Sequence, residues 1–202
     1  MDGTLIDIAP LHDEALVVAL RSQGLEPPPN LHERVLGVSA HDVYEMMRAE
    51  VGLDLPFERW IGLKYAHYLS RAPHLKPRPG ALEIWSDLEA RGVFQAVVSN
   101  SDRLVVEANM KAVGLSRAGA RSVSRNDVRE GKPHAEPYLR AAWLFDLDPA
   151  DCGVMEDSWP GTMAGLAAGM RTVYWPETPQ PGPRGSLGAA TAADVRRFLG
   201  IG

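Results

Sequence analysis

The chain has 202 residues, of which 45% are hydrophobic and 23% are charged, and its formal net charge is -5 at pH 7. This composition is typical of an ordered globular protein and argues against a disordered one. The acidic balance offers no basic surface for nucleic acid, and no long apolar run indicates a membrane span. We therefore expect a small soluble ligand, with neither nucleic acid nor a membrane as a partner.

Cys152 is the only cysteine of the chain, which excludes an internal disulfide. A chain without disulfides suits a reducing compartment. The N-terminal sequence has an acidic residue, Asp2, where a signal peptide would carry basic ones. We expect a cytoplasmic protein and a monomer.

The first long segment, residues 11–72, has apolar residues at the spacing of α-helices. They form two groups between breaks rich in proline and glycine: Leu16, Val17, Ala19 and Leu20, then Val43, Met46 and Met47. This pattern predicts an all-helical insert over residues 11–72, which interrupts a core made of residues 1–10 and 73–202.

After the insert, helical and strand-like segments alternate. Pro77, Pro79 and Gly80 mark a turn, and residues 81–91 have the pattern of a helix. Four apolar or β-branched runs follow, separated by stretches of helical length: 94–99, 120–124, 153–156 and 171–175. This alternation predicts an α/β fold with a Rossmann-like parallel sheet covered by helices on both faces. We interpret residues 176–188 as a surface loop before a last short helix.

Polar residues follow the predicted strands, where the sites of parallel α/β proteins lie. They are Asp2 near the N-terminus, Ser99 and Asn100 after the run 94–99, Lys132 in a Gly-Lys-Pro turn, and Glu156 and Asp157 after the run 153–156. A hydroxyl, a lysine and several carboxylates are suited to hold a phosphate and a hard divalent cation. Two adjacent acids after an apolar strand are also costly to bring together without a cation.

In this order, these segments resemble the four motifs of the phosphatases of the haloacid dehalogenase superfamily, over nearly the whole chain. Residues 1–4, Met-Asp-Gly-Thr, match the end of a first motif that begins with a further aspartate. Ser99 matches the second motif and Lys132 the third. Residues 156–158, Glu-Asp-Ser, match the fourth, which a helix rich in glycine and alanine follows. The insert lies where one subgroup of this superfamily, subfamily IA, carries a helical cap.

The resemblance implies a role for each matching residue. Asp2 would be the general acid and base, and its backbone carbonyl would help to bind Mg²⁺. Ser99 would hydrogen-bond a phosphoryl oxygen, and Lys132 would neutralise the phosphoryl group and the nucleophile. Asp157, together with Glu156 directly or through water, would bind Mg²⁺. The implied reaction is the hydrolysis of a small phosphate monoester, a phosphorylated sugar or sugar acid, through an aspartyl-phosphate intermediate.

The nucleophilic aspartate that the resemblance requires would stand immediately before Met1, and the sequence contains neither it nor the apolar strand that would carry it. A natural fold does not readily tolerate the loss of a central strand. We therefore expect a start upstream of Met1, and an inactive chain when it begins at Met1. The alternative is a pseudoenzyme that binds a metabolite without turning it over.

Further candidates for substrate contacts are Asn100, His12 and Gly37. A phosphomutase on the same fold is the main catalytic alternative, but Ala40 stands where related β-phosphoglucomutases carry an arginine. A dehalogenase is the other, and its relatives replace the second aspartate of the first motif and need no metal. Asp2 and Asp157 argue against it. The phosphomutase and the non-catalytic metabolite-binding protein stay open as alternatives.

Overall fold

A computed structural model describes residues 1–35, 38, 40–117 and 119–202, apart from the side chain of Ala9. The chain forms two compact units, one made of Met1–Asp7 with Leu75–Gly202 and the other of Ile8–His74. The second unit extends the predicted insert 11–72 by a few residues at each end. That this unit acts as a cap stays a prediction.

The unit Ile8–His74 contains helices and no strand among its described residues. The helices are α1 (Ala9–Arg21), α2 (Leu31–Val35), α3 (Ala40–Val51) and α4 (Phe57–Arg71). Leu16, Leu20, Met47 and Trp60 are almost fully buried and belong to one apolar core. These residues come from α1, α3 and α4, so the apolar faces of the three long helices share the core of this unit.

In the α/β unit, helices alternate with short strands. They are α5 (Ala81–Ala90), β1 (Ala96–Val98), α6 (Arg103–Ala112), β2 (Arg121–Val123), α7 (Glu136–Trp143), β3 (Gly153–Glu156), α8 (Trp159–Ala167), β4 (Arg171–Tyr174), β5 (Leu187–Gly188) and α9 (Ala192–Leu199). The first four strands lie inside the four predicted runs. The interpretation of residues 176–188 as a loop missed β5, because two exposed residues carry no periodic pattern. Within the described ranges, no helix is long and apolar enough to cross a membrane.

The strands form two parallel sheets rather than one. In the first sheet β1 pairs with β2, and in the second the order is β3, β4, β5. The predicted α/β class, with parallel sheets and helices on both sides, is confirmed. However, the strand pairs of the described residues do not join β1 to β3, so each of these strands has a neighbour on one side only.

A cavity of about 420 Å³ separates β1 from β3. Its walls include residues 92–98, which lead into and form β1, and residues 151–155, which do the same for β3. Apolar side chains such as Phe145 and Leu199 complete the lining, and Met1 contributes to it as well. Protein interiors are normally packed without voids of this size. The cavity therefore lies where the unpaired edges of two parallel strands face an unfilled space.

Candidate active site

The N-terminal turn places Asp2 against the residues that follow β1. Ser99 Oγ donates to Asp2 Oδ2 at 2.6 Å, and Ser101 Oγ donates to the same oxygen at 2.8 Å. The backbone N–H of Ser99 continues the sheet by donating to the Val123 carbonyl at 2.9 Å. Because Ser99 is fixed by the sheet and only 3% exposed, it holds the Asp2 carboxylate at the carboxyl end of β1.

The same turn contacts Asp157, which follows β3. Thr4 Oγ1 donates to Asp157 Oδ1 at 2.7 Å. Gly3 has a φ of 72°, and a Cβ atom at this position would lie 2.0 Å from Asp157 Oδ2. Only glycine can therefore occupy this position without moving the carboxylate. Residues 2–4 thus join the ends of β1 and β3 through side-chain hydrogen bonds.

The carboxyl group of Asp157 is largely shielded from solvent, and this partial burial raises its pKa above the ordinary value. The negative charge of Glu156 raises the pKa of Asp157 further, while the hydrogen bond from Thr4 and the α-ammonium of Met1 oppose the shift. A carboxylate in such a place is stabilised when a cation binds beside it. The environment of Asp157 therefore fits a ligand of a hard cation.

Lys132 and Glu156 form a buried ion pair, with side chains that are 7% and 3% exposed. Lys132 Nζ donates to Glu156 Oε1 and, at 3.1 Å, to the carbonyl of Val98 at the end of β1. The hydroxyl of Tyr138 donates to the same Glu156 oxygen. Burial raises the pKa of Glu156, but the charges of Lys132 and the Met1 ammonium, with these hydrogen bonds, hold it below the ordinary value.

The side-chain amide of Asn100 both accepts from and donates to the backbone of Lys132. Lys132 N donates to Asn100 Oδ1 at 2.8 Å, and Asn100 Nδ2 donates to the Lys132 carbonyl at 3.0 Å. A Cβ atom at Gly131 would lie 2.8 Å from Asn100 Oδ1, so the amide and the turn pack closely. The observed contact of Asn100 positions Lys132, and its contact with substrate stays a prediction.

Two predicted substrate contacts belong to the other unit of the chain. His12 lies on α1, where its ring packs against the ring of Tyr68 with centroids 4.6 Å apart. Gly37 lies outside the residues that the structure describes. The substrate roles of both residues stay predictions.

In the part of the chain that the structure describes, no group of three or more His, Cys, Asp or Glu side chains is arranged to bind a metal ion. Mg²⁺ does not require such a group, because it is often held by one or two carboxylates and keeps several waters. Asp157 fits this kind of site. Glu156 already has Lys132 as its counterion, so its predicted role in binding metal stays a prediction.

Several contacts at this site were not predicted from the sequence. Thr4, Ser101 and Tyr138 donate hydrogen bonds to the carboxylates of Asp157, Asp2 and Glu156, respectively. Thr4 belongs to the first motif and stands two residues after Asp2. A hydroxyl in this motif could have indicated a contact with an acid of the site. Tyr138 lies on an apolar face of α7, and a buried tyrosine hydroxyl usually has a partner. The identity of that partner depends on the fold.

We predict that Lys132→Met lowers the free energy of unfolding by about 3–5 kcal/mol, because it leaves the buried charge of Glu156 unpaired. Without Lys132, burial should raise the pKa of Glu156 above the unfolded value of about 4.3. A carboxyl group whose pKa is raised by folding destabilises the protein above that pH, and the loss decreases as the group is protonated. Urea denaturation should therefore show a smaller loss at about pH 5 than at about pH 8.

Two controls accompany this variant. Lys132→Met combined with Glu156→Gln should recover much of the lost stability, because no charge is then left unpaired. Lys111→Met replaces an exposed lysine and should change the stability by no more than about 0.5 kcal/mol. Equal stability of Lys132→Met and the unmodified chain at both pH values would contradict the ion pair.

The motifs and the fold match one known family. The model of the family described as haloacid dehalogenase-like hydrolase matches residues 1–175. The chain is 30% identical over 176 residues to Hexitol phosphatase A of Escherichia coli, covering 86% of this chain and 79% of that protein. It is 29% identical over 181 residues to the Bifunctional riboflavin kinase/FMN phosphatase of Arabidopsis thaliana, covering 89% of this chain. The chain spans 48% of the length of that Arabidopsis relative.

Solved structures show the same fold. The crystal structure of CbbY from Rhodobacter sphaeroides in complex with phosphate matches with a TM-score of 0.87 and 20% identity, covering 96% of this chain and 93% of that chain. The family model and the relatives named as phosphatases confirm the expectation of a phosphoric monoester hydrolase. The chain belongs to the haloacid dehalogenase-like hydrolase family.

Proposed function

We propose that this protein is a Mg²⁺-dependent phosphatase that hydrolyses a small phosphorylated metabolite, a sugar or sugar-acid phosphate, through an aspartyl-phosphate intermediate. The observation that carries this proposal is that hydrogen bonds link four distant segments into one site. Asp2 is bonded to Ser99, and Thr4 to Asp157. Lys132 is bonded to the ends of both β1 and β3. The relative named Hexitol phosphatase A supports the substrate class.

Lys132 is suited to bind a phosphoryl oxygen. An ammonium group has three donors, and the Val98 carbonyl and the Glu156 carboxylate accept two of them. The third donor can bind the substrate. Because the side chain is buried, its charge is weakly screened by solvent and acts strongly on a nearby anion. Asn100 holds the backbone of Lys132, so the direction of the side chain is set before substrate arrives.

Asp2 is suited to move the proton of the leaving oxygen. Its carboxylate is held by the hydroxyls of Ser99 and Ser101, so it has a fixed position without an ion pair to a lysine or arginine in the described residues. In its protonated form Asp2 would give its proton to the leaving oxygen in the first step, and the carboxylate that remains would take a proton from the attacking water in the second. Both steps use the same carboxylate, with opposite directions of proton transfer.

Asp157 and the backbone carbonyl of Asp2 would hold Mg²⁺. When bound, Mg²⁺ would neutralise charge on the phosphoryl group during transfer. The raised pKa of Asp157 supports this role, since burial disfavours its charge and a cation would restore it. The α-ammonium of Met1 now lowers the pKa values of Glu156 and Asp157. A residue before Met1 would replace that ammonium with a neutral peptide and increase the need for a cation.

The nucleophile in this proposal is an aspartate immediately before Met1, at the end of a strand that fills the cavity between β1 and β3. The cavity follows the chain along residues 92–98, which corresponds to roughly 20 Å of extended backbone. Met1 is 6% exposed and lines this cavity, while Asp2 is bonded to residues beyond the end of β1. A strand that ends at Met1 would therefore run parallel to β1 and β3 and hydrogen-bond to both free edges.

We predict that Asp157→Asn weakens Mg²⁺ binding by at least about tenfold, the smallest loss expected even for residues that only support a metal ligand. The substitution removes a charged oxygen ligand and keeps the shape of the side chain. In the unmodified protein with its upstream residues, Mg²⁺ should raise the melting temperature, because it binds the folded state alone. At the same Mg²⁺ concentration, the rise should be smaller in the variant.

Asp151→Asn is the matched control, because Asp151 is an exposed carboxylate near the opposite, amino-terminal end of β3. It should leave the Mg²⁺-induced rise in melting temperature unchanged. An equal rise in Asp157→Asn and in the unmodified protein would show that Asp157 is not a metal ligand.

We predict that the protein extended upstream to include the strand hydrolyses an aryl phosphate and sugar phosphates in the presence of Mg²⁺. Activity should disappear when the aspartate before Met1 is replaced by asparagine, since Asp2 can transfer a proton but cannot replace an in-line nucleophile. The chain that starts at Met1 should have little or no activity. Turnover should be measured with Mg²⁺ and with a chelator.

Three outcomes separate the alternatives. Strong Mg²⁺-dependent turnover by the chain that starts at Met1 would exclude the proposed nucleophile. A requirement for a sugar bisphosphate would indicate a phosphomutase. Tight binding of sugar phosphates by the extended protein without turnover would indicate a non-catalytic binding protein.

A further inference from the structure

Arg78 joins the N-terminal turn to the segment that follows β4. Its Nη1 atom donates to the carbonyl of Gly3 at 2.9 Å and to the carbonyl of Trp175 at 2.6 Å. Its Nη2 atom donates to the carbonyl of Pro176 at 2.9 Å. The backbone N–H of Arg78 also donates to the carbonyl of Leu5 at 2.8 Å. One residue therefore binds the first motif and the end of the second sheet at four backbone positions.

The guanidinium of Arg78 also packs against an aromatic ring and lies near two carboxylates. Its Cζ atom lies 3.8 Å from the centre of the Trp175 ring, which is itself only 3% exposed. Burial lowers the pKa of Arg78, and the charges of Asp157 and Glu177 oppose this shift. Arginine keeps its charge in such places, because its pKa is very high and its planar fork can bond several acceptors.

The hydrogen bond from Arg78 to Gly3 acts where the N-terminal turn lies close to Asp157. On one side, the Gly3 carbonyl accepts a hydrogen bond from Arg78. On another, a Cβ atom on Gly3 would lie 2.0 Å from Asp157 Oδ2, so the turn already touches the carboxylate. Thr4, the next residue, donates to the other oxygen of Asp157. A displacement of Gly3 would therefore change the distance between Asp157 and the backbone of Asp2.

We infer that Arg78 is a positioning residue that fixes the turn of residues 2–4 against Asp157 and so sets the affinity of the site for a divalent cation. The Arg78 guanidinium binds backbone carbonyls and not the reacting groups. It acts through the Gly3 carbonyl, by fixing the position of the Asp2 backbone relative to the Asp157 carboxylate, the two groups that would bind Mg²⁺. The inference rests on the proposed function, because it assigns Mg²⁺ to Asp157 and the Asp2 carbonyl.

The test uses the protein with its upstream residues and two substitutions, Arg78→Met and Arg78→Lys. Arg78→Met keeps much of the apolar side chain and removes every side-chain donor, while the backbone N–H that donates to Leu5 remains. Mg²⁺ affinity measured by titration calorimetry should fall about 10- to 100-fold, the range found for residues that orient metal ligands. Arg78→Lys should show a smaller loss than Arg78→Met, because it keeps a charged donor. It should not restore the full affinity, because one ammonium cannot reproduce the fork that binds three carbonyls.

Arg171→Met is the matched control. The Arg171 guanidinium also packs on an aromatic ring, that of Phe198 at 5.0 Å, and donates to a backbone carbonyl at 3.3 Å. Arg171 lies at the amino-terminal end of β4, whereas the proposed site lies at the carboxyl ends of the strands. This substitution should leave the Mg²⁺ affinity unchanged, although it can lower the melting temperature.

A second readout separates positioning from general stability. Amide hydrogen exchange of Gly3 and Leu5, whose N–H groups bond within the N-terminal turn, should become faster in Arg78→Met and not in Arg171→Met. Unchanged Mg²⁺ affinity in Arg78→Met, where the unmodified protein binds Mg²⁺, would overturn the inference and leave the proposed function intact. If the unmodified protein binds no Mg²⁺, the proposed metal site fails, and the assigned effect of Arg78 on cation affinity fails with it.

Discussion

The buried ion pair between Lys132 and Glu156 is the interaction on which the arrangement of the site depends. The two sheets of the α/β unit share no strand pairing in the described residues, and a cavity separates their nearest strands. Lys132 bonds to the last carbonyl of β1 and to the carboxylate at the end of β3. A buried charge without a partner is strongly destabilising, so the pair constrains the ends of both sheets to stay together.

The other contacts of the site join the same two strand ends or hold the turns that carry the site residues. Residues 2–4 join the same two strand ends through Ser99 and Asp157. Arg78 holds this turn by donating to the Gly3 carbonyl, and Asn100 holds the turn that carries Lys132 by donating to the Lys132 carbonyl. Each of these contacts fixes a backbone carbonyl or a carboxylate before a ligand binds. Such preorganisation is what a site needs to stabilise the charge of a phosphoryl group in transfer.

The alternation of apolar runs was enough to predict the α/β class and the first four strands, because buried parallel strands are short apolar segments between helices. These runs alone did not predict the division into two sheets, but the missing central strand that the resemblance requires did indicate a gap in the sheet. β5 was missed because Leu187–Gly188 has no apolar pattern and pairs with β4 only through its backbone.

The motif residues Asp2, Ser99, Lys132 and Asp157 could be named from the sequence because their order is specific to the family. The contacts that these residues make with one another could not be predicted from the sequence. The sequence does not show that Glu156 is the counterion of Lys132, or that Tyr138 and Ser101 donate to the acids of the site. Arg78 is the clearest case, because an arginine between two prolines has the pattern of an exposed turn. Only the fold shows that it reaches the carbonyls of Gly3, Trp175 and Pro176.

We propose that an aspartate before Met1 attacks the phosphoryl group from a strand that fills the cavity. The most direct measurement is mass spectrometry of the extended protein after it is mixed with substrate and quenched in acid. One phosphoryl group should be found on the peptide that spans Met1, at the aspartate immediately before it. Continued turnover with the phosphoryl group on another residue, or with no phosphorylated peptide at any quench time, would exclude this aspartate as the nucleophile.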